Sequence, residues 1–483
     1  MNTTKSMKSK ILTDLFSELN EANVVYCSWK NNHELDIALS GDSDLDILVH
    51  QSSYAEMCEL MLSYGFVEAN NSRISYPFVY HYYCFDAKLC KFVHIHLYTK
   101  IITGESHIKN YHFPIESELL SNRIKHKGIY VLNDSQQAKI FLLRFIAKQG
   151  SIPSRMLYKK ELLSYKEELD LCTVGELSFS EQDLIKNIDY EDLLKCKGDL
   201  SFKKVSNVKK SIKLFRRFNS FEEFLYRYYQ IAYRIINKLI LKEKKNLGSE
   251  GKIVAITGLD GAGKSSSVAF LQELYSSKFN CRTYHVGVPK YTYITLPFNI
   301  AFNIIKILRK KDKLQSSTIK SGVKPTSMLH AIRYAVLAYE RYKTLKKAQR
   351  FSYRGGLAIL DRYPSQNIGV MDSRRIIVDA KSSQLCKYLK NLEDRLYSAC
   401  VKPDLLMNLV VPEHVSISRN RNRDKLNKET DEEIRLRYKI NSGLSYSSYL
   451  FTEVDMNRDK HQCMLDLSSN VWSLYNKSTK ITD

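Results

Sequence analysis

The order of apolar and polar positions changes character along the chain. Over residues 1–135, short runs rich in Ile, Val, Tyr and Phe alternate with helix-like spacing. Leu45–Val49, Phe92–Tyr98 and Gly128–Leu132 read as strands, and Tyr54–Tyr64 reads as a helix ended by Gly65. Over residues 136–248 apolar positions recur three to four apart, as in Ala138–Lys148 and Tyr158–Leu169, which predicts helices. Phe221–Lys245 reads as a long amphipathic helix, and Leu247–Gly251 breaks it. Over residues 249–483 the pattern becomes strand, loop, helix. Ile253–Thr257, Leu357–Leu360 and Leu405–Val411 are short apolar runs separated by helical stretches, which predicts a parallel sheet flanked by helices in an α/β fold. The expected layout is an α+β domain, a helical connector and an α/β domain.

A chain of 483 residues exceeds one compact core, in keeping with that division. Charge then adds something the pattern lacks. The net charge is +22, which calls for a polyanionic partner: nucleotide phosphates, nucleic acid or an acidic membrane surface. Residues 201–250 alone hold 13 Lys or Arg against 4 Glu. The Phe221–Lys245 helix is therefore expected either to pack with its basic face in solvent, or to make peripheral membrane or nucleic-acid contact. The stretch Tyr291–Leu308 is apolar but contains Pro297, Asn299 and Asn303, and reads as a partly buried helix rather than a membrane span. The N-terminus lacks the apolar core of a secretory signal, and the ten cysteines are scattered without a C-x-x-C pair. These features predict a cytoplasmic protein.

The segment Gly258–Ser265 fits G-x-x-x-x-G-K-[ST], between a predicted strand and a predicted helix, which is the context of a P-loop. Gly258, Gly261 and Gly263 let backbone approach phosphate oxygens, and the loop with Asp260, Ala262 and Ser266 would cradle ATP. Lys264 would reach the β/γ-phosphates, and the Ser265 hydroxyl would ligate Mg²⁺. Asp361 and Arg362 follow the strand Leu357–Leu360, at the carboxyl end where ligands of open α/β sheets bind. Asp361 can face Mg²⁺ or an acceptor, and Arg362 a phosphate. A predicted helix after Leu405–Val411 carries Arg419, Arg421 and Arg423. Arg419 and Arg423 share a face at i,i+4 and suit a cationic clamp on a transferring phosphoryl group.

The loop GLDGAGKSS, the Asp361-Arg362-Tyr363 motif and the Pro403-Asp404-Leu405 strand followed by an Arg-bearing helix together resemble the thymidylate kinase family of P-loop nucleoside monophosphate kinases. The resemblance runs from Gly251 to about Ile440. It implies transfer of the ATP γ-phosphoryl group to a nucleoside monophosphate, with Asp260 beside the acceptor and Arg341 on its phosphate. Thr257 stands where the family often has an acidic residue, and the run after Tyr363 lacks the family's Ser and Ala-Tyr pattern. A different phosphorylated or hydroxylated acceptor, such as a sugar, and an ATP-binding regulatory module therefore stay open.

In the first domain, Gly41, Ser43, Asp44 and Asp46 resemble the G-S…D-x-D signature of nucleotidyltransferase-fold proteins. Carboxylates at i and i+2 of a strand share a face, about 7 Å apart, and suit a shared divalent metal. Where those enzymes place a third carboxylate, this chain has His94 and His96, with Asp86 nearby. An active transferase, a degenerate ligand-binding domain and a structural coincidence all fit this pattern. The pairing of such a domain with a thymidylate-kinase-like one resembles bacterial fused proteins, some of them associated with surface-polysaccharide genes.

Overall fold

The computed structural model describes residues 8–71, 73–148, 210, 212–289, 295–298, 300, 325–421, 430–441 and 443–476. The expected helix Tyr158–Leu169, most of Tyr291–Leu308 and Arg423 lie outside them. The chain forms two compact units, Met1–Lys244 and Lys245–Asp483.

The first unit contains strands β1 (Tyr26–Ser28), β2 (Leu45–Val49), β3 (Val67–Asn70), β4 (Val79–Asp86), β5 (Lys91–Tyr98), β6 (Ile101–Thr103), β7 (Tyr111–Phe113), β8 (Ile124–His126) and β9 (Ile129–Val131). Seven of them pair in the order β3-β4-β5-β2-β1-β9-β8, with β2–β5 and β1–β9 parallel and the other pairs antiparallel. Side chains alternate across a strand, so each strand feeds two cores. Leu45, Ile47 and Val49 of β2 and Val93, Ile95 and Leu97 of β5 join Leu12, Leu15, Phe16, Met57 and Met61 of the helices Lys10–Glu21 and Tyr54–Ser63. On the other face Leu48 and Tyr98 pack with Trp29, Phe113, Phe141 and Phe145. That second face also receives Asp46, His94 and His96, because they occupy the opposite parity.

The helix Ser220–Ile236 belongs to this unit and starts from a capping box of Asn219 and Glu222. Its buried side chains are Glu223, Gln230 and Tyr233. Arg227 binds Glu105 at 2.9 Å and Glu223 at 2.7 Å, and Gln230 donates to the Arg73 carbonyl. Within this helix the expectation of a solvated basic face is reversed: polar residues face inward, and Phe221, Phe224, Leu225, Tyr228, Ile235 and Ile236 are exposed, while the expected exposed basic residues occur only beyond it, at Lys238, Lys242 and Lys244. Inward partners such as Glu105 decide this, and no local pattern reveals them. The helix also stops short of Lys245: Asn237–Leu241 form a wider π turn, and Lys242 closes it at φ +52°.

The second unit opens with the short strand β10 (Asn246–Leu247) and carries a five-stranded, all-parallel sheet of β11 (Ile253–Gly258), β12 (Cys281–His285), β13 (Leu357–Asp361), β14 (Leu405–Val410) and β15 (Leu450–Asp455). Its order is β12-β13-β11-β14-β15. β11 is buried along its whole length, as a parallel strand covered on both faces must be. The connection leaving β11 leads to β12 on one side, and the one leaving β13 leads to β14 on the other. Adjacent connections that diverge open a crevice at the strands' carboxyl ends, here between β11 and β13. No helix among the described residues is long and apolar enough to cross a membrane.

Candidate functional site

The crevice is lined by the turn after β11. Gly258, Gly261 and Gly263 all have positive φ, at 137°, 89° and 92°. Two of them are also required by packing. A Cβ on Gly258 would lie 2.5 Å from the Leu409 carbonyl oxygen, and one on Gly261 would lie 2.6 Å from Ser416 Oγ and 3.0 Å from Ser416 Cα. The loop is thus pressed against β14 and the helix Glu413–Arg421. Ala262 is fully buried behind it, and Ser265 and Ser266 are exposed on the first turn of the helix Lys264–Lys278. No side chain caps that helix at Gly263, so its N-terminal amides keep their partial positive charge for an anion.

Lys264 is nearly buried and folds back over its own loop, donating to the carbonyls of Gly258 at 2.9 Å and Leu259 at 2.7 Å. Its Nζ lies 3.5 Å from Asp260 Oδ1. Burial lowers the lysine's pKa against the pull of Asp260. Asp260 in turn meets Arg437 at 2.7 Å and Arg362 at 3.7 Å. Burial opposes its ionisation, but Lys264, Arg362 and Arg437 outweigh it and hold the carboxyl below its usual range.

Arg362, at φ +73°, also binds Asp372 at 3.2 Å. Asp372 is shared with Arg341, whose Nη2 lies 2.6 Å away. Arg341 is 2% exposed. Its remaining donors go to the carbonyls of Val286 and Gly287 and to the Tyr397 hydroxyl. The arginine that the family resemblance places on an acceptor phosphate is therefore engaged inside the fold. Asp361, opposite Ile256 in the ladder, has its carboxylate 2.5 Å from His285 Nδ1. Arg419 donates to the carbonyls of Gly261 and Met456, bracing the loop from behind. Arg421 pairs with Asp431.

The structure brings the loop residues, Asp361 and Arg362 together at one end of the sheet. Arg437, Asp372 and His285 join them without having been anticipated. Arg437 lies on the helix Asp431–Ile440, whose capping box of Thr430 and Glu433 is readable in the sequence. Its partner Asp260 lies 177 residues away, and no local pattern links them. A small cavity next to this pair is lined by Leu259, Asp260, Met371, Ile434, Arg437 and Asn441.

In the first unit Asp46 sits opposite His96 in the parallel register of β2 and β5. Asp46 is buried, 2.8 Å from Lys30 Nζ and 3.1 Å from His96 Nδ1, and it accepts from Asn31. Burial disfavours its charge, but Lys30 and His96 reverse that and hold the carboxyl far below its usual range. His96 itself is pushed down to about 3 by burial, against the pull of Asp46. Asp44 pairs with His94 at 2.6 Å, and His94 meets His81 at 3.1 Å. The two aspartates expected to share a metal thus occur as two separate Asp–His pairs. Among the described residues no group of three or more His, Cys, Asp or Glu is placed to hold a metal ion. Asp86 accepts from Ser9 and from the amides of Lys88 and Leu89, a turn-closing role.

The chain matches no family model. It is similar to an uncharacterized ATP-binding protein, YghR, of Escherichia coli K12, at 25% identity over 211 residues, 42% of this chain and 80% of the relative. The protein of the same name in Escherichia coli O6:H1 matches to the same extent. Among solved structures, a thymidylate kinase from Candida albicans aligns over 47% of this chain and 93% of its own, at 16% identity and a TM-score of 0.27.

Proposed function

We propose that the second unit binds ATP with Mg²⁺ and transfers the γ-phosphoryl group to a small acceptor, a nucleoside monophosphate in the leading reading. The observation that carries this is the convergence of Lys264, Arg362 and Arg437 on Asp260, beside a glycine-rich loop at the mouth of the β11/β13 crevice. The YghR relative, named as ATP-binding, supports the nucleotide. In the reaction an acceptor oxygen attacks the γ-phosphorus, the bond to the β–γ bridging oxygen breaks, and ADP leaves. Loop amides and Lys264 bind the phosphates, with Lys264 exchanging its loop carbonyls for phosphate oxygens. Arg362 and Arg437 face the charge that spreads over the transferring group. Arg341 and Arg419 are positioning residues, the first through Asp372 and Arg362, the second through the loop backbone.

Mg²⁺ takes oxygen ligands and keeps several waters, so one or two protein oxygens suffice. The exposed Ser265 hydroxyl and the Asp361 carboxylate fit that donor set and would hold it; when bound, it neutralises charge on the β- and γ-phosphates. The test is ADP release by the full-length chain against a panel of nucleoside monophosphates, sugars and sugar phosphates. One acceptor should raise ADP release well above the rate without acceptor. ADP release indifferent to every acceptor sinks the kinase reading.

The Lys30–Asp46 pair favours a first unit without nucleotidyl transfer, since the ammonium already neutralises the carboxylate a catalytic metal would need. Transfer that depends on Asp44 and Asp46, lost in the Asp44→Ala/Asp46→Ala double variant, would contradict this.

A further inference from the structure

The helix Ser220–Ile236 is inverted. A surface helix of a soluble domain turns its apolar stripe toward the core. Here Glu223, Arg227, Gln230 and Arg234 face the first unit through bonds to Arg216, Glu105, the Arg73 carbonyl and Tyr76. The outward positions are Phe221, Phe224, Leu225, Tyr228, Ile231, Ala232, Ile235 and Ile236, spaced three and four apart. The stripe continues onto the π turn, where Leu239 and Ile240 are 70% and 72% exposed. That tip is fixed rather than frayed, because the Asn237 side chain donates to the Glu243 carbonyl and accepts from the Glu243 amide. From Phe221 to Ile240 the stripe is about 30 Å long. An apolar face of that size marks an interaction surface.

Charge selects the occupant. No acidic residue occurs from Leu225 to Leu241, and Lys238, Lys242 and Lys244 stand exposed at the tip. A second copy would bring a +22 chain against another +22 chain, whereas an anionic bilayer opposes the same charge with its own. Tyr228 and Tyr229, exposed beside the aliphatic residues, are the side chains that favour the headgroup boundary. We infer that the helix Ser220–Ile236 and the turn to Leu241 dock on an anionic lipid surface, with the apolar face in the headgroup–acyl boundary and the lysines on the lipid phosphates. The whole chain would then work at a membrane face without spanning it.

The test is co-sedimentation of the full-length protein with phosphatidylcholine vesicles, with and without phosphatidylglycerol. Binding is expected to require phosphatidylglycerol and to weaken with salt. Leu225→Ser with Ile235→Ser should weaken it at least about tenfold, the loss expected for two large apolar side chains left in water. The melting temperature should not fall, since both side chains are exposed in the structure. Lys238→Glu with Lys242→Glu should weaken binding without touching the apolar face, which keeps the proposal testable if the first variant folds poorly. No vesicle binding, or binding unchanged in both variants, overturns the proposal. So does a wild-type dimer that Leu225→Ser/Ile235→Ser converts to a monomer, which would assign the face to a second copy. Binding to a single-stranded oligonucleotide but not to vesicles would assign it to nucleic acid.

Discussion

Both units place an aspartate at the heart of a charged cluster, and the two clusters are built on opposite principles. In the first unit each carboxylate has a dedicated partner across the sheet: Asp46 with Lys30 and His96, and Asp44 with His94. Each carboxylate is closed in its own pair, and His96 is kept neutral by burial. In the second unit the connected network of Lys264, Arg362, Arg437 and Arg341 with Asp260 and Asp372 holds four cations against two carboxylates. A matched cluster serves stability without a ligand. A cluster with surplus positive charge beside uncapped helix amides is completed by an anion. The difference teaches that similar acidic motifs in one chain can mark a finished structure in one place and an incomplete site in another.

The sharpest way to break this comparison is to remove a cation from each cluster. Lys264→Ala should lower acceptor-dependent ADP release by roughly 10²–10³-fold, the scale of losing one preorganised donor to a developing charge. Its melting temperature should change little in comparison. A variant that melts much earlier yet turns over normally would make Lys264 structural. Asp46→Ala should do the reverse, destabilising the protein by about 3 kcal/mol because the mostly buried Lys30 loses its counter-charge, with ATP turnover per folded molecule unchanged. The pH dependence follows the same logic. The folded pKa of Asp46 is depressed, so its stabilisation is complete above the unfolded value near 4 and is lost as pH falls through the folded value. Acid unfolding between about pH 5 and 2 should therefore be shallower in Asp46→Ala than in the wild type. Equal slopes would remove Asp46 from the acid transition.

Much of the scaffold is legible in the chain because local pattern and final burial agree. Leu45–Val49 is a strand whose odd positions meet the helices and whose Asp46 meets Lys30 and His96, and its bounds are visible in the alternation alone. Ile253–Gly258 and the helix from Lys264 are legible because glycines are obligatory at Gly258 and Gly261. What escapes the sequence is set by distant partners. Arg437 joins Asp260 only through the fold, and Arg341 is drawn inward by Asp372, Tyr397 and two carbonyls that no spacing rule connects. The helix Ser220–Ile236 shows the limit most plainly. Its amphipathicity is written in the sequence, but which face turns inward depends on Glu105 and the Arg73 carbonyl.

Gly261→Ala tests whether the loop geometry itself matters. The added Cβ meets Ser416 at backbone φ +89°, so the helix Glu413–Arg421 must shift or the loop must strain, at about 1–3 kcal/mol. The loss should appear in thermal melting and in weaker ATP binding together. An unchanged melting temperature would mean that the loop and this helix are not in firm contact.

The smallest expected effect is also the most discriminating. Arg437 is partly exposed and reaches Asp260 from a different helix, so its ion pair contributes little to stability, about 0–1 kcal/mol. Arg437→Ala should therefore leave melting nearly unchanged. If Arg437 only restrains Asp260, removing it should also leave turnover near the wild-type level. If it faces the transferring group, kcat should fall about tenfold or more with the KM for ATP held, and Arg437→Lys should restore part of it by returning a positive charge. A fall in neither kcat nor kcat/KM would reduce the surplus of positive charge at this site to three cations against two carboxylates and would move the second cluster closer to the matched design of the first.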